Sequence, residues 1–180
     1  MKESTFLNPT AVVGLAKIRE GMVVVDFAAG SGFFTRAAAR EVGQGEVWAV
    51  DINQDLLPRI VNVAAGEGLK NVHVVQGDIE KLGGSNLPDA HADLVIVANV
   101  LFSLEHKEKM IKELVRVLKR GGRALVVDWK DSFGGLGPHP DHVVTVGMGR
   151  DLFEKGGLQY LEDVPAGQYH WGFIVRKKVS

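Results

Sequence analysis

The sequence contains no cysteine. That excludes a disulfide framework and any zinc site built on thiolates, and it fits a reducing compartment. It also lacks an excess of either charge: 21 Lys and Arg stand against 22 Asp and Glu, a formal net charge of −1. Such a balance gives no general field for drawing in a polyanion, so no extended nucleic-acid surface is expected. Long hydrophobic runs are missing too. The longest apolar stretch, near residues 94–104, is broken by Asn99 and is too short to span a bilayer. The N-terminal stretch MKESTFLNP has no apolar signal-peptide core. These absences lead us to expect a cytoplasmic protein with no membrane partner.

What is present suits a globular chain. Its 180 residues, 46% hydrophobic, suggest a single domain over residues 1–180, long enough to bury a core without staples. No internal repeat, low-complexity tract or linker interrupts it. Two periodicities alternate. Valine-rich runs at 22–27, 47–52, 72–75, 94–97 and 124–127 are apolar at successive positions, as strands buried on both faces of a parallel sheet require. Between them lie segments with helical spacing. Leu56, Leu57, Ile60, Val61 and Ala64 fall on one face, in a helix starting near Gln54 with Pro58 in its first turn. Met110, Ile111, Leu114, Val115 and Leu118 share another face. Gly121 and Gly122 after Lys119 and Arg120 read as that helix's stop. Asn8 and Pro9 read as the cap and first position of a helix reaching about Ile18.

This alternation predicts an α/β, doubly wound, mostly parallel sheet with helices on both faces. After Trp129 the pattern changes. Residues 131–140 hold three glycines and two prolines and read as a loop. A helix is expected around 149–155. Strands at 158–164 and 169–176, joined by a turn at 165–167, would add an antiparallel pair.

In such sheets ligands bind beyond the carboxyl ends of the strands. The first strand runs into Asp26-Phe-Ala-Ala-Gly-Ser-Gly32, a turn whose glycines let a ligand lie against bare backbone. The second ends at Asp51, nineteen residues beyond Gly32. An ionised carboxylate there can accept from both hydroxyls of a ribose. The third leads to Gly77-Asp78-Ile79, where the carboxylate can accept from an exocyclic amine while Ile79 and Ile52 sandwich a ring. The fourth ends at Asn99, where a buried amide calls for a partner. Each position alone reads equally well as a turn or a cap. Four on one sheet edge point to a ribose-bearing cofactor.

On these residues the sequence resembles the class I S-adenosylmethionine-dependent methyltransferases. The resemblance runs from Gly21 to about Asp128: VVVDFAAGSG, VWAVDI, QGDIEKL and DLVIVANVLFSL are similar to their successive motifs. VLKRGGRALVVDW resembles the subgroup of ubiquinone/menaquinone C-methyltransferases. The resemblance implies a Rossmann-like seven-stranded sheet with an antiparallel last strand. It implies that Asp26 and the turn at Ala28, Gly30 and Gly32 hold the methionine end. It places Asp51 at the ribose, Asp78 and Ile79 at the adenine, with Ile52 on the other side of that ring, and Asn99 beside the path to the sulfonium. The family often has glycine where this chain has Ala28.

The expected activity is methyl transfer from S-adenosylmethionine to a small-molecule acceptor. A nicotinamide-dependent oxidoreductase is the rival, but Thr35 stands where its fingerprint needs a third glycine. A non-catalytic S-adenosylmethionine-binding protein is the other alternative. Methyl transfer needs no metal, and a base only if the acceptor must lose a proton. His106, Asp128, His139 and His142 are candidates for that base, and each reads as readily as a solvated or capping residue. Pro-His-Pro-Asp-His at 138–142 is too thin a set for a metal site, and residues 176–178 read as a solvated basic end. No Asn-Pro-Pro-Tyr-like sequence follows the fourth strand. Little chain remains to cover the site, so Trp129, Phe133 and the 131–140 loop are expected at its mouth. A second subunit, as in a homodimer, or a bulky substrate is left to complete the closure.

Overall fold

The computed structural model describes residues 6–179. The first five residues of the N-terminal stretch read above lie outside the described residues. In chain order the elements are α1 (Pro9–Leu15), β1 (Val23–Phe27), α2 (Phe33–Glu41), β2 (Glu46–Asp51), α3 (Leu57–Gly66), β3 (Val72–Gln76), β4 (Ala92–Ala98), α4 (Lys107–Val117), β5 (Leu118–Trp129), α5 (Val146–Lys155), β6 (Leu158–Asp163) and β7 (His170–Lys177). Single 3₁₀ turns at Leu101–Ser103 and Pro140–His142 follow β4 and the long loop.

The valine-rich runs become the strands because their side chains must be buried on both faces at once. Along β4, Leu94 and Ile96 point to one side and Val95 and Val97 to the other. The first side packs against Val12 and Val13 of α1 and Phe34 and Ala38 of α2. The second packs against Met110, Ile111 and Leu114 of α4 and Phe153 of α5. Ile60 and Leu57 of α3 cover Ala49, whose neighbour two places back, Val47, lies in the α1–α2 layer. Three helices therefore cover one face and two cover the other.

The sheet order is β3-β2-β1-β4-β5-β7-β6. Strands β1 to β5 pair in parallel, and β7 runs antiparallel to both β5 and β6. The expected mixed sheet and its antiparallel last strand are both present. Strand order reverses between β1 and β4, so the crevice that binds ligands in such sheets lies beyond Phe27 and Ala98.

Three local expectations differ. Helix α4 ends at Val117, not at the glycine pair, and β5 begins at once with Leu118. The carbonyls of Arg116 and Val117 accept from Ala90 N–H and His91 N–H at 2.9 and 2.8 Å. Lys177 Nζ donates to the carbonyls of Val115 and Leu118 at 2.7 and 2.8 Å. The helix end is thus satisfied by the residues just before β4 and by a distant lysine, and Lys177 is engaged rather than solvated. Gly121, at φ +72°, instead sits in the irregular start of β5. In α3 the helix begins at Leu57, and Val61 is exposed. Helix α1 stops at Leu15, although Asn8 caps it as expected, accepting from Ala11 N–H at 3.1 Å. No helix is long and apolar enough to cross a membrane, and no cluster of metal-binding side chains occurs among the described residues.

Candidate cofactor site

The turn after β1 is built from left-handed residues. Ala28, Gly30 and Gly32 have φ of +56°, +55° and +75°. For glycine this is free, whereas Ala28 bears a Cβ in a region that costs an L-residue about 1–2 kcal/mol. A Cβ on Gly32 would meet Ile60 at 3.1 Å, so that glycine lets α2 and α3 approach. The space over Gly30 is open.

The hydrogen bonds of the turn decide what it can hold. Ala29 N–H donates to the Val50 carbonyl at 3.0 Å and Gly32 N–H to the Ala29 carbonyl at 2.8 Å. Gly30 N–H donates to Asp51 Oδ2 at 2.8 Å. Three N–H groups are spent within the protein. A pyrophosphate needs such donors free; the carboxylates of Asp26 and Asp51 nearby suit a cation instead.

Asp51 is 7% exposed at the end of β2. Its Oδ1 accepts from Asn53 N–H at 2.9 Å. Each oxygen thus holds one backbone donor and keeps a lone-pair position for another. Asp26 lies behind the turn rather than in it. It is 2% exposed, and Thr35 Oγ1 of α2 donates to it at 2.6 Å. Burial pushes its carboxyl up to about 7 against the pull of the Thr35 bonds, with the Asp51 charge adding to the rise. Thr35, where the dinucleotide fingerprint would need glycine, therefore has a partner of its own.

Asp78 follows β3 in a loop folded on itself. Its Oδ2 pairs with Lys81 Nζ at 2.8 Å and its Oδ1 accepts from Glu80 N–H at 3.0 Å. The Lys81 bond holds its carboxyl below the usual range. Beside it Ile79 is buried, whereas Ile52 is 65% exposed, an apolar side chain held in the open at the strand end. Glu113 of α4 clasps this loop from behind, accepting from Gly83 N–H at 2.6 Å, Ser85 N–H at 3.1 Å and Ser85 Oγ at 2.5 Å.

Asn99 sits at the end of β4 with φ +55°, and its N–H donates to the Val127 carbonyl at 2.9 Å. Its side-chain Oδ1 is buried and has no hydrogen-bond partner among the described residues. An acceptor left so at the reversal of strand order is a place for a ligand donor.

The base candidates separate. Asp128 is 1% exposed and is bonded by backbone: Leu101 N–H donates to Oδ2 and Trp129 N–H to Oδ1, both at 2.8 Å. Burial raises its carboxyl to about 6. It fixes the segment after β4 to the end of β5. His106 is exposed at the start of α4, where its backbone N–H donates to Glu80. His139 and His142 are exposed on the loop, and His139 Nδ1 accepts from Asp141 N–H at 3.3 Å. His142 lines a groove of about 710 Å³ with Phe102, Leu104, Val144, Met148 and Leu152.

In the long loop, Gly137 lies against Trp129, close enough that a Cβ would come within 2.8 Å of the indole. Phe133 meets Tyr169 edge-on at 4.9 Å. Trp129 in turn packs on His170 at 4.2 Å between ring centroids. His170 is not among the residues singled out from sequence. The signal was available: an antiparallel strand brings its first residue, not its last, to the edge where the parallel strands end.

Comparison with known proteins gives the family. A family model described as a methyltransferase domain matches residues 18–143, more than half the chain. The ubiquinone/menaquinone biosynthesis C-methyltransferase UbiE of Laribacter hongkongensis is 40% identical over 124 residues, 68% of this chain and 49% of its own. UbiE of Bordetella avium is 38% identical over 130 residues, 72% and 49% of the two chains. The chain spans about half the length of these curated relatives. Among solved structures, a SAM-dependent methyltransferase from Aquifex aeolicus superposes with a TM-score of 0.87 at 27% identity, over 97% of this chain and 92% of that one. The [4+2]-cyclase SpnF superposes at 0.78 with 18% identity, over 95% and 80%, and shows the shared fold alone. By the match over residues 18–143, the chain belongs to the methyltransferase domain family, in its class I, S-adenosylmethionine-dependent form.

Proposed function

We propose that the chain acts as one methyltransferase domain, passing a methyl group from S-adenosylmethionine to a small-molecule acceptor. The observation that carries this reading is the turn at Ala28–Gly32: the N–H groups of Ala29, Gly30 and Gly32 are engaged, and two carboxylates, Asp26 and Asp51, stand around it. That environment favours an ammonium and a pair of ribose hydroxyls over a pyrophosphate.

On this reading each residue has a role. Asp51 accepts the ribose hydroxyls on its two remaining lone-pair positions. Asp78 accepts from the adenine amine, while Ile79 and Ile52 flank the ring. Asp26, from behind the turn, offsets the ammonium, and the methionine end lies against the backbone of Ala28 and Gly30. Asn99 Oδ1 takes a donor near the reacting end. When bound, the cofactor supplies a methyl group activated by a sulfonium, with a neutral thioether as leaving group. The protein's part is to set the acceptor in line, about 3 Å from that carbon. Asp128 serves this by holding residues 100–102 in place, not by taking a proton. Trp129 and Phe133, with the 131–140 loop, form a small lid.

Turnover tests the reading. Protein incubated with methyl-labelled S-adenosylmethionine and a panel of small hydroxylated and amine acceptors should release S-adenosylhomocysteine faster than it does with no acceptor. Release that no acceptor accelerates, despite tight cofactor binding, would make the chain a binding protein instead.

A further inference from the structure

A second cavity, of about 1000 Å³, opens between α1, α5 and the turn from β6 to β7. Its walls include Phe6, Leu15, Val146 and Trp171, with Lys130 and His170 among its polar residues. Phe6 and Leu15 are 57% and 46% exposed, so its rim presents apolar surface to solvent.

His170 is the unusual member. It is 3% exposed, yet neither Nδ1 nor Nε2 has a hydrogen-bond partner among the described residues. Leaving two ring nitrogens dry and unpaired is costly, and folded proteins seldom do so without a reason. The Trp129 indole packs on the imidazole, which ties His170 to the end of β5 and so to the edge where the cofactor residues lie.

We propose that this cavity binds the acceptor, and that His170 is its polar anchor, recognising a hydroxyl group on an otherwise apolar molecule. The choice of ligand follows from the charge state. Burial, with Lys130 nearby, lowers the imidazole to about 4, so His170 is neutral in ordinary buffers. A neutral imidazole has one donor and one acceptor nitrogen. A hydroxyl, which both donates and accepts, complements either. So weakly basic a group is a hydrogen-bond partner rather than a proton acceptor for the reaction. The other charged groups on the cavity do not serve as well. Arg150 of α5 pairs with Asp163 at the end of β6, which leaves its buried Nε without a partner among the described residues, and Lys130 Nζ donates to the Gly167 carbonyl at 3.2 Å.

The name of acceptor site rests on the methyltransferase reading; binding to the cavity does not. The test uses two probes of one shape, 2-naphthol and 2-methylnaphthalene, added to the full chain with S-adenosylhomocysteine present. Calorimetry should show 2-naphthol binding at least tenfold tighter. Long-range ¹H–¹⁵N spectra should show the His170 ring nitrogens moving with 2-naphthol and not with its partner. His170→Phe should abolish the preference while still binding 2-methylnaphthalene, and His170→Gln should retain part of it. Equal binding of the probes, no binding, or ring nitrogens that stay still would overturn the proposal and leave a buried water only as the partner of His170. Because the spectra are read on the unaltered chain, the test survives a variant that fails to fold. Failure of S-adenosylhomocysteine to bind in the same samples would instead count against the cofactor reading.

Discussion

Asp26, at the end of β1, and Ala28, in the turn that follows, each carry a cost that predicts a behaviour. Burial raises the Asp26 carboxyl from 3.8 to about 7. The folded state therefore holds this proton more tightly than the unfolded chain does. The contribution to stability is complete below about pH 4 and is lost as pH rises through 7. Asp26→Asn should accordingly stabilise the fold more at pH 8 than at pH 4, by on the order of 2–4 kcal/mol, with a correspondingly larger rise in melting temperature. An equal effect at both pH values would contradict the burial account. The same ionisation should govern ligand binding. Affinity for S-adenosylhomocysteine should increase from pH 6 to pH 8 in the unaltered chain, and Asp26→Asn should flatten that rise. At Ala28 the left-handed backbone penalises the methyl group, while glycine would add entropy to the unfolded chain. The first effect is the larger, so Ala28→Gly should raise the melting temperature by about 1–3 °C. A fall would mean that the Cβ makes contacts worth more than the strain.

The clasp between α4 and the loop after β3 is the feature to test at the scale of an element. Burial alone would raise Glu113, but its bonds from Arg116, Ser85 and Gly83 outweigh that and hold it down to about 2. Its contribution is present above about pH 4.5 and is lost as pH falls toward 2. Glu113→Ala leaves Arg116 and three loop donors facing an apolar gap, a loss of about 3–5 kcal/mol. We expect a melting temperature lower by roughly 10 °C. Hydrogen exchange should quicken at residues 83–87, and affinity for S-adenosylhomocysteine should weaken because Asp78 and Ile79 ride on that loop. Unchanged exchange there would refute the clasp.

The elements also show how far the sequence could be read. The buried parallel strands were legible because a run such as Leu94–Val97 has no other way to bury successive side chains. Four strand-end residues were legible for the same reason: the sheet dictates where they must lie. The start of β5 was not. Gly121 and Gly122 carry a local signal for a helix stop, yet the stop is set at Val117 by Ala90, His91 and Lys177, all distant in sequence. The Glu113 clasp and the unpaired nitrogens of His170 are likewise products of tertiary contact. Asp128 looked like any acid after a strand, and only its backbone partners reveal it as a brace.

For the whole molecule, the account is that a seven-stranded sheet gathers acids and one amide along a single edge to hold S-adenosylmethionine. A ligand that binds the folded state alone stabilises it by about 2.7 kcal/mol at a hundredfold excess over its dissociation constant. S-adenosylhomocysteine should therefore raise the melting temperature by about 5–10 °C, and NAD at the same concentration should not. The most direct measurement is calorimetric titration of the full chain with S-adenosylhomocysteine, with NAD alongside, repeated on Asp51→Ala. The account predicts micromolar binding of S-adenosylhomocysteine, none of NAD, and a loss of roughly tenfold or more in the variant, as removal of a charge-assisted bond requires. Preference for NAD, or an Asp51→Ala variant that binds as tightly as the unaltered chain, would contradict it.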